Sequence, residues 1–184
     1  GWRAEEVYKD FNFSILKSIF QDEGIFMIPA RINYEEAREE NLEKLQNLLD
    51  SKPSPDGLIP SLVISIDDES VQIITAKLEL KKIPWIKEFY TWARTINSDD
   101  TKSPEPENFS DFIEIGSLVY MSNKDENLKI EQVPRAEAAF VAVDALSGKL
   151  KAYVGGFDFE KSKFDRAGDS KLLPGSSIKP FIYA

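Results

Sequence analysis

Cysteine and histidine are both absent from this chain. The first absence excludes disulfides, thiolate metal sites and cysteine nucleophiles, while leaving the compartment open. The second rules out a Ser-His-Asp triad among these residues and leaves carboxylates as the only ligands for a zinc ion. No apolar run approaches the roughly 20 residues that cross a bilayer, and the opening Gly1-Trp2-Arg3-Ala4-Glu5-Glu6 carries no secretory signal. There is also no excess of positive charge. The net charge is −9, which argues against a nucleic-acid partner. What remains is ordinary for a globular protein, with 42% hydrophobic and 30% charged residues over 184 positions. That length suits one or two domains with a real core.

The charge is unevenly spread. Residues 134–184 hold eight Lys/Arg against six Asp/Glu, whereas residues 1–133 hold 15 against 26. Such a shift predicts two units with different surfaces, divided near Val133-Pro134-Arg135-Ala136. In the first, Ile15, Leu16, Ile19 and Phe20 have helical spacing within a loosely defined lead-in. Residues 33–50 read as a helix, with Asn33 and Glu36 at capping-box spacing and Leu42, Leu45, Leu48 and Leu49 along one face. Its acidic residues read as a solvated face. Pro53, Pro55 and Gly57 break the pattern.

Beyond that break the period changes to two. Residues 62–66 read as a strand, Asp67 to Ser70 as a turn and 71–80 as the hairpin partner. Trp85, Phe89 and Trp92 have helical spacing and are expected to serve as core aromatics rather than as a stacking platform. Residues 97–110 form an acidic, proline-containing loop expected to be mobile. Two short strands follow at 115–121 and 128–133, with Asn123 to Asn127 between them. The sum is mixed α+β, a small closed or half-open β-barrel with helical additions. A last hairpin pairs 138–144 with 149–154 across Ala145-Leu146-Ser147-Gly148, and Gly155-Gly156 ends it. Asp165 and Arg166 are expected to form a structural ion pair.

The segment Leu173-Pro174-Gly175-Ser176-Ser177-Ile178-Lys179-Pro180-Phe181 carries the chemistry. Serine favours a helix N-cap, and Pro180 is tolerated only in a first helical turn, so Ser176 or Ser177 is expected at a helix start. Positions three apart share a helix face, which sets Lys179 beside the hydroxyl of Ser176 and not that of Ser177. A serine hydroxyl needs a base, and a lysine amine serves when burial or nearby positive charge lowers its pKa. A bare Ser-x-x-Lys arises by chance in many chains. Here it follows Ala138-Ala139-Phe140-Val141-Ala142-Val143-Asp144, Val154-Gly155-Gly156-Phe157-Asp158-Phe159 and Ser162-Lys163-Phe164-Asp165-Arg166-Ala167.

That series closely resembles the opening of the transpeptidase domain of class A penicillin-binding proteins of Gram-negative bacteria, whose nucleophile motif is Ser-x-x-Lys. The resemblance covers the last quarter of the chain. It implies an OB-like domain over residues 1–133, inserted before a transpeptidase domain of the penicillin-binding and β-lactamase type. The latter's first hairpin and first active-site helix would occupy 134–184. It implies a bifunctional peptidoglycan synthase with an upstream glycosyltransferase, facing the periplasm and held in the inner membrane by an N-terminal anchor. In its transpeptidase half Ser176 would be the nucleophile, Lys179 its general base and the Ser176 N–H an oxyanion donor. Stem peptides ending in D-Ala-D-Ala and β-lactams would be partners at Ser176, with no metal or organic cofactor. The motifs Ser-x-Asn and Lys-Thr-Gly are absent, so the chain is expected to be an inactive fragment. Two other readings stay open. The acidic unit 1–133 could be an interaction module for a lipoprotein activator or a glycan. Alternatively, the serine could serve a carboxypeptidase or β-lactamase, against which the inserted barrel argues.

Overall fold

A computed structural model describes residues 2, 6–21, 34–123, 127–134, 136–159 and 162–183. The Asn33 cap, residues 124–126 of the loop after Asn123, and Arg135 at the boundary lie outside the described residues. The chain folds as two compact units, Gly1–Val133 and Pro134–Ala184.

The first unit opens with helix α1, Phe13–Gln21. Asn12 caps it: its side-chain oxygen accepts the N–H of Ile15 at 3.1 Å, satisfying one of the free amides of a helix start. The Asn12 N–H is itself donated to the Asn41 side chain at 3.1 Å, tying α1 to helix α2, Tyr34–Asp50. Five antiparallel strands follow: β1 Ile59–Ile66, β2 Ser70–Thr75, β3 Leu80–Pro84, β4 Leu118–Ser122 and β5 Lys129–Glu131. They lie in the order β3-β2-β1-β4-β5.

Period-two alternation sorts the strand residues onto two cores. Leu62, Ile64, Ile74 and Leu118 face the helices and pack with Phe11, Leu16, Leu45 and Leu49. Val63, Val71, Ile73, Ile83, Val119, Met121 and Ile130 face the other way, onto Trp2, Tyr90, Phe109 and Phe112. The register of β1 against β2 slips between Val63 and Ser65, and a bulge of this kind bends a strand and increases its twist.

Two expectations for the strands and the aromatics are corrected. The strand read over 71–80 stops at Thr75, and only its last residue, Leu80, belongs to the next strand. A turn separates β2 from β3, with Leu78 at φ 57°, its N–H donated to the Thr75 carbonyl at 2.8 Å. No helix follows the Trp85, Phe89, Trp92 spacing. Pro84 closes β3, and only a four-residue turn, α3 Lys87–Tyr90, is helical. Trp85 instead stacks on Tyr90 at 5.1 Å and 17° and meets Phe109 edge-on at 5.0 Å, geometries that aromatic quadrupoles favour. Of the closed and half-open barrels expected, the half-open one is found: no pairing joins β3 to β5 among the described residues. The sheet is a half-barrel.

The acidic loop after Ile96 is held in place. Asn97 N–H reaches the Thr101 carbonyl at 2.9 Å, and Ser103 N–H the Thr95 carbonyl at 2.9 Å. Phe109 then inserts fully into the aromatic core.

The second unit is built on hairpin β6 Phe140–Val143 and β7 Leu150–Val154. Asp144 shapes its turn by accepting the Ser147 N–H at 2.8 Å and the Ser147 hydroxyl at 2.7 Å. Helix α4, Lys179–Tyr183, ends the chain.

Candidate functional site

The Ser-x-x-Lys segment forms one turn of 3-10 helix, Gly175–Ile178, that passes directly into α4. Gly175 takes φ +54° with nothing within 4 Å of a Cβ built on it, a left-handed conformation that glycine adopts without strain. The Ser177 N–H is donated to the Pro174 carbonyl at 3.1 Å. The Lys179 N–H is donated to the Ser176 carbonyl. That backbone bond sets Ser176 and Lys179 one 3-10 turn apart, on one edge, because side chains at i and i+3 eclipse in this geometry. Pro180 falls in the first turn of α4, where a missing N–H costs nothing. The α-helix itself starts at Lys179, so Ser176 sits a turn earlier than a helix start would put it. Both residues are exposed, as are Leu173, Phe181 and Tyr183 around them.

A more tightly organised cluster lies just upstream, where the end of β7 meets residues 162–168. The Asp165 Oδ1 accepts the N–H groups of Ala167 at 2.9 Å and Gly168 at 3.1 Å, and its Oδ2 accepts the Tyr153 hydroxyl. The Arg166 N–H is donated to the Gly155 carbonyl at 2.8 Å. Two glycines allow this approach. A Cβ on Gly155 would stand 2.5 Å from Asp165 Oδ1, and one on Gly168 2.8 Å from the Tyr153 hydroxyl. The hydroxyl of Tyr153 holds the Asp165 carboxyl below the usual carboxylate range, helped by the Gly168 and Ala167 amides and opposed by desolvation. The same bond pushes the Tyr153 phenol up.

The expected Asp165–Arg166 ion pair is therefore corrected. Asp165 is a hydrogen-bond acceptor that shapes a turn, and the acid facing Arg166 is Glu137, at 3.8 Å. Arg166 also donates to the Phe164 carbonyl at 3.1 Å and the Ser162 hydroxyl at 3.2 Å, while Glu137 Oε2 accepts the Phe157 N–H at 3.1 Å. A cavity of about 310 Å³ opens beside the cluster, lined among others by Tyr153, Gly156, Phe159, Phe164 and Asp165. Sequence reasoning missed Tyr153 and Glu137. The signal available was the Gly155-Gly156 pair with Gly168, since glycines outside obvious turns mark close approach of chain to chain.

Among the described residues no group of acidic side chains is placed to hold a metal ion, and no helix is long and apolar enough to cross a membrane.

The family model described as Penicillin-binding protein OB-like domain matches residues 29–136. Ser176 and Lys179 lie outside that match. Penicillin-binding protein 1A of Vibrio cholerae is 34% identical over 146 residues, 77% of this chain and 18% of that protein. Penicillin-binding protein 1A of Escherichia coli is 31% identical over 140 residues, 76% of this chain and 16% of that protein. The crystal structure of penicillin-binding protein 1A from Haemophilus influenzae superimposes with a TM-score of 0.57 at 28% identity, covering 77% of this chain and 19% of that one. The chain thus spans less than a fifth of the length of these relatives.

Proposed function

The chain belongs to the penicillin-binding protein 1A family of Gram-negative bacteria through its OB-like domain, and on that basis we propose that residues 134–184 begin a transpeptidase domain with Ser176 as its nucleophile. The observation that carries this reading is the Lys179 N–H to Ser176 C=O bond, which keeps a hydroxyl and an amine on one edge of a single turn. In the proposed reaction the Ser176 Oγ attacks the penultimate D-Ala carbonyl of a stem peptide. Its proton passes to the Lys179 amine and on to the departing nitrogen, so that the C–N bond breaks and the terminal D-Ala leaves as the free amine. The acyl-serine then passes to an amine of a neighbouring stem, regenerating the hydroxyl. The Ser176 N–H is an oxyanion donor, since preorganised amides stabilise developing charge. β-Lactams would stop at the acyl-serine. The parent would also polymerise glycan in an upstream domain and face the periplasm from an inner-membrane anchor.

Acyl transfer separates this reading from a carboxypeptidase or β-lactamase with the same serine chemistry. Full-length protein given a D-Ala-D-Ala peptide and an amine acceptor should form cross-linked product. Release of D-Ala by hydrolysis alone would contradict it.

A second reading concerns residues 1–133. This unit has two hydrophobic cores of its own and a strongly acidic composition, which suit a docking module for a lipoprotein activator. Binding of such an activator to full-length protein, lost when this unit is deleted, is the expected result. Retained binding would contradict it.

A further inference from the structure

We propose that Asp165 is a positioning residue for Ser176: its carboxylate gathers Tyr153, Ala167 and Gly168 into one fixed point from which the nucleophile segment departs. The inference rests on the reading of Ser176 as nucleophile. Two pieces of chain converge at this point. Tyr153 and Gly155 come from the end of β7, the Asp165 turn doubles back through the Asp169 N–H to Asp165 carbonyl bond at 2.8 Å, and the Arg166 N–H locks that turn to Gly155. A Cβ at Gly155 would displace the Asp165 carboxylate, and one at Gly168 the Tyr153 hydroxyl. The remaining stretch to the serine is short, from Ser170 to Gly175.

Among the described residues the stretch 169–175 has one backbone bond of its own to the turn, through Asp169. The Asp165 turn is thus the nearest hydrogen-bonded anchor upstream of Ser176, with Ser170 to Gly175 between them. Misplacing a nucleophile by about 1 Å costs up to about a hundredfold in rate, because the loss falls on orientation rather than on binding. Asp165 would act on the acylation step and not on capture of the ligand.

The test uses full-length protein and a fluorescent penicillin, with labelling rate followed against penicillin concentration. Asp165→Ala should keep the half-saturating concentration within about twofold and lose about tenfold or more in limiting rate. Asp165→Asn should recover most of that rate, because the retained Oδ1 still accepts the Ala167 and Gly168 amides and the new amide faces the Tyr153 oxygen. An alanine variant that acylates at the wild-type limiting rate overturns the inference, as does an asparagine variant no better than alanine. If the alanine variant does not fold, Tyr153→Phe carries the test: a limiting rate lowered about threefold or more supports it, and an unchanged rate overturns it. Wild-type protein that takes no label on Ser176 overturns the underlying reading and this inference together. A labelled wild type beside an unimpaired Asp165→Ala overturns this inference alone.

Discussion

The hydroxyl of Tyr90 accepts the N–H of Ile130 at 3.2 Å. Ile130 is in β5, at the open edge of the half-barrel. A strand edge presents unpaired amides, and here a phenol from the turn after β3 takes one of them inside the aromatic core. Both residues are 1% exposed, so the bond is made out of reach of water.

Removing that hydroxyl by Tyr90→Phe leaves the Ile130 N–H buried without an acceptor, at a cost of about 1–3 kcal/mol. Denaturant unfolding of the whole chain should show a lower midpoint. An unchanged midpoint would mean the amide finds another partner.

Tyr90 also predicts a response to alkali. Burial, with a smaller push from Glu131, raises its phenol to about 12, the Ile130 amide opposing. The ordinary value is about 10. The folded state thus favours the neutral form. Its contribution is full below pH 10 and is lost as pH climbs from 10 to about 12, amounting to about 2–3 kcal/mol. Stability measured across that window should fall in the wild type and fall less in Tyr90→Phe. Parallel curves would contradict the assignment.

Leu45 and Leu49 are fully buried between α2 and the sheet. Leu45→Ala should destabilise the first unit by about 2–5 kcal/mol through lost transfer energy and the cavity left behind. Leu146→Ala, at a wholly exposed position, should stay within about 0.5 kcal/mol of the wild type. Comparable losses at both sites would contradict the packing described.

Asp165 should titrate below the ordinary carboxylate range, because the Tyr153 hydroxyl and two amides favour its ionised form. The sign follows: its contribution is present above the ordinary carboxylate pKa and lost as pH falls through the lowered one. Carboxyl NMR should show the midpoint rising toward the ordinary range in Tyr153→Phe. An unmoved midpoint would mean the hydroxyl bond is not made.

Much of the first unit is legible in the sequence because its signals are periodic and local. The short apolar run of Leu62 to Ile66, buried on both faces, and the spacing of Leu45 and Leu49 are dictated by the faces they bury. The break between β2 and β3 is hidden because Leu78, not glycine or asparagine, takes the left-handed position, so no turn residue marks it. Trp85, Phe89 and Trp92 mislead because their spacing suits a helix, while the ring that fills the core is Tyr90 and Trp85 reaches it from outside the helical turn. In the second unit the Ser176 to Lys179 spacing is readable along the chain. Glu137 with Arg166 and Tyr153 with Asp165 are not, since each pair joins positions 29 or 12 residues apart.

The central claim is that Ser176 is an acylated nucleophile, and its most direct test is the site of penicillin attachment. Full-length protein treated with a penicillin, digested and examined by mass spectrometry, should carry the added mass on the peptide containing Ser176. Ser176→Ala should carry none. A folded wild-type protein without that mass, or a mutant that still takes it, would contradict the account and leave the OB-like unit as the part of this chain with an assigned identity.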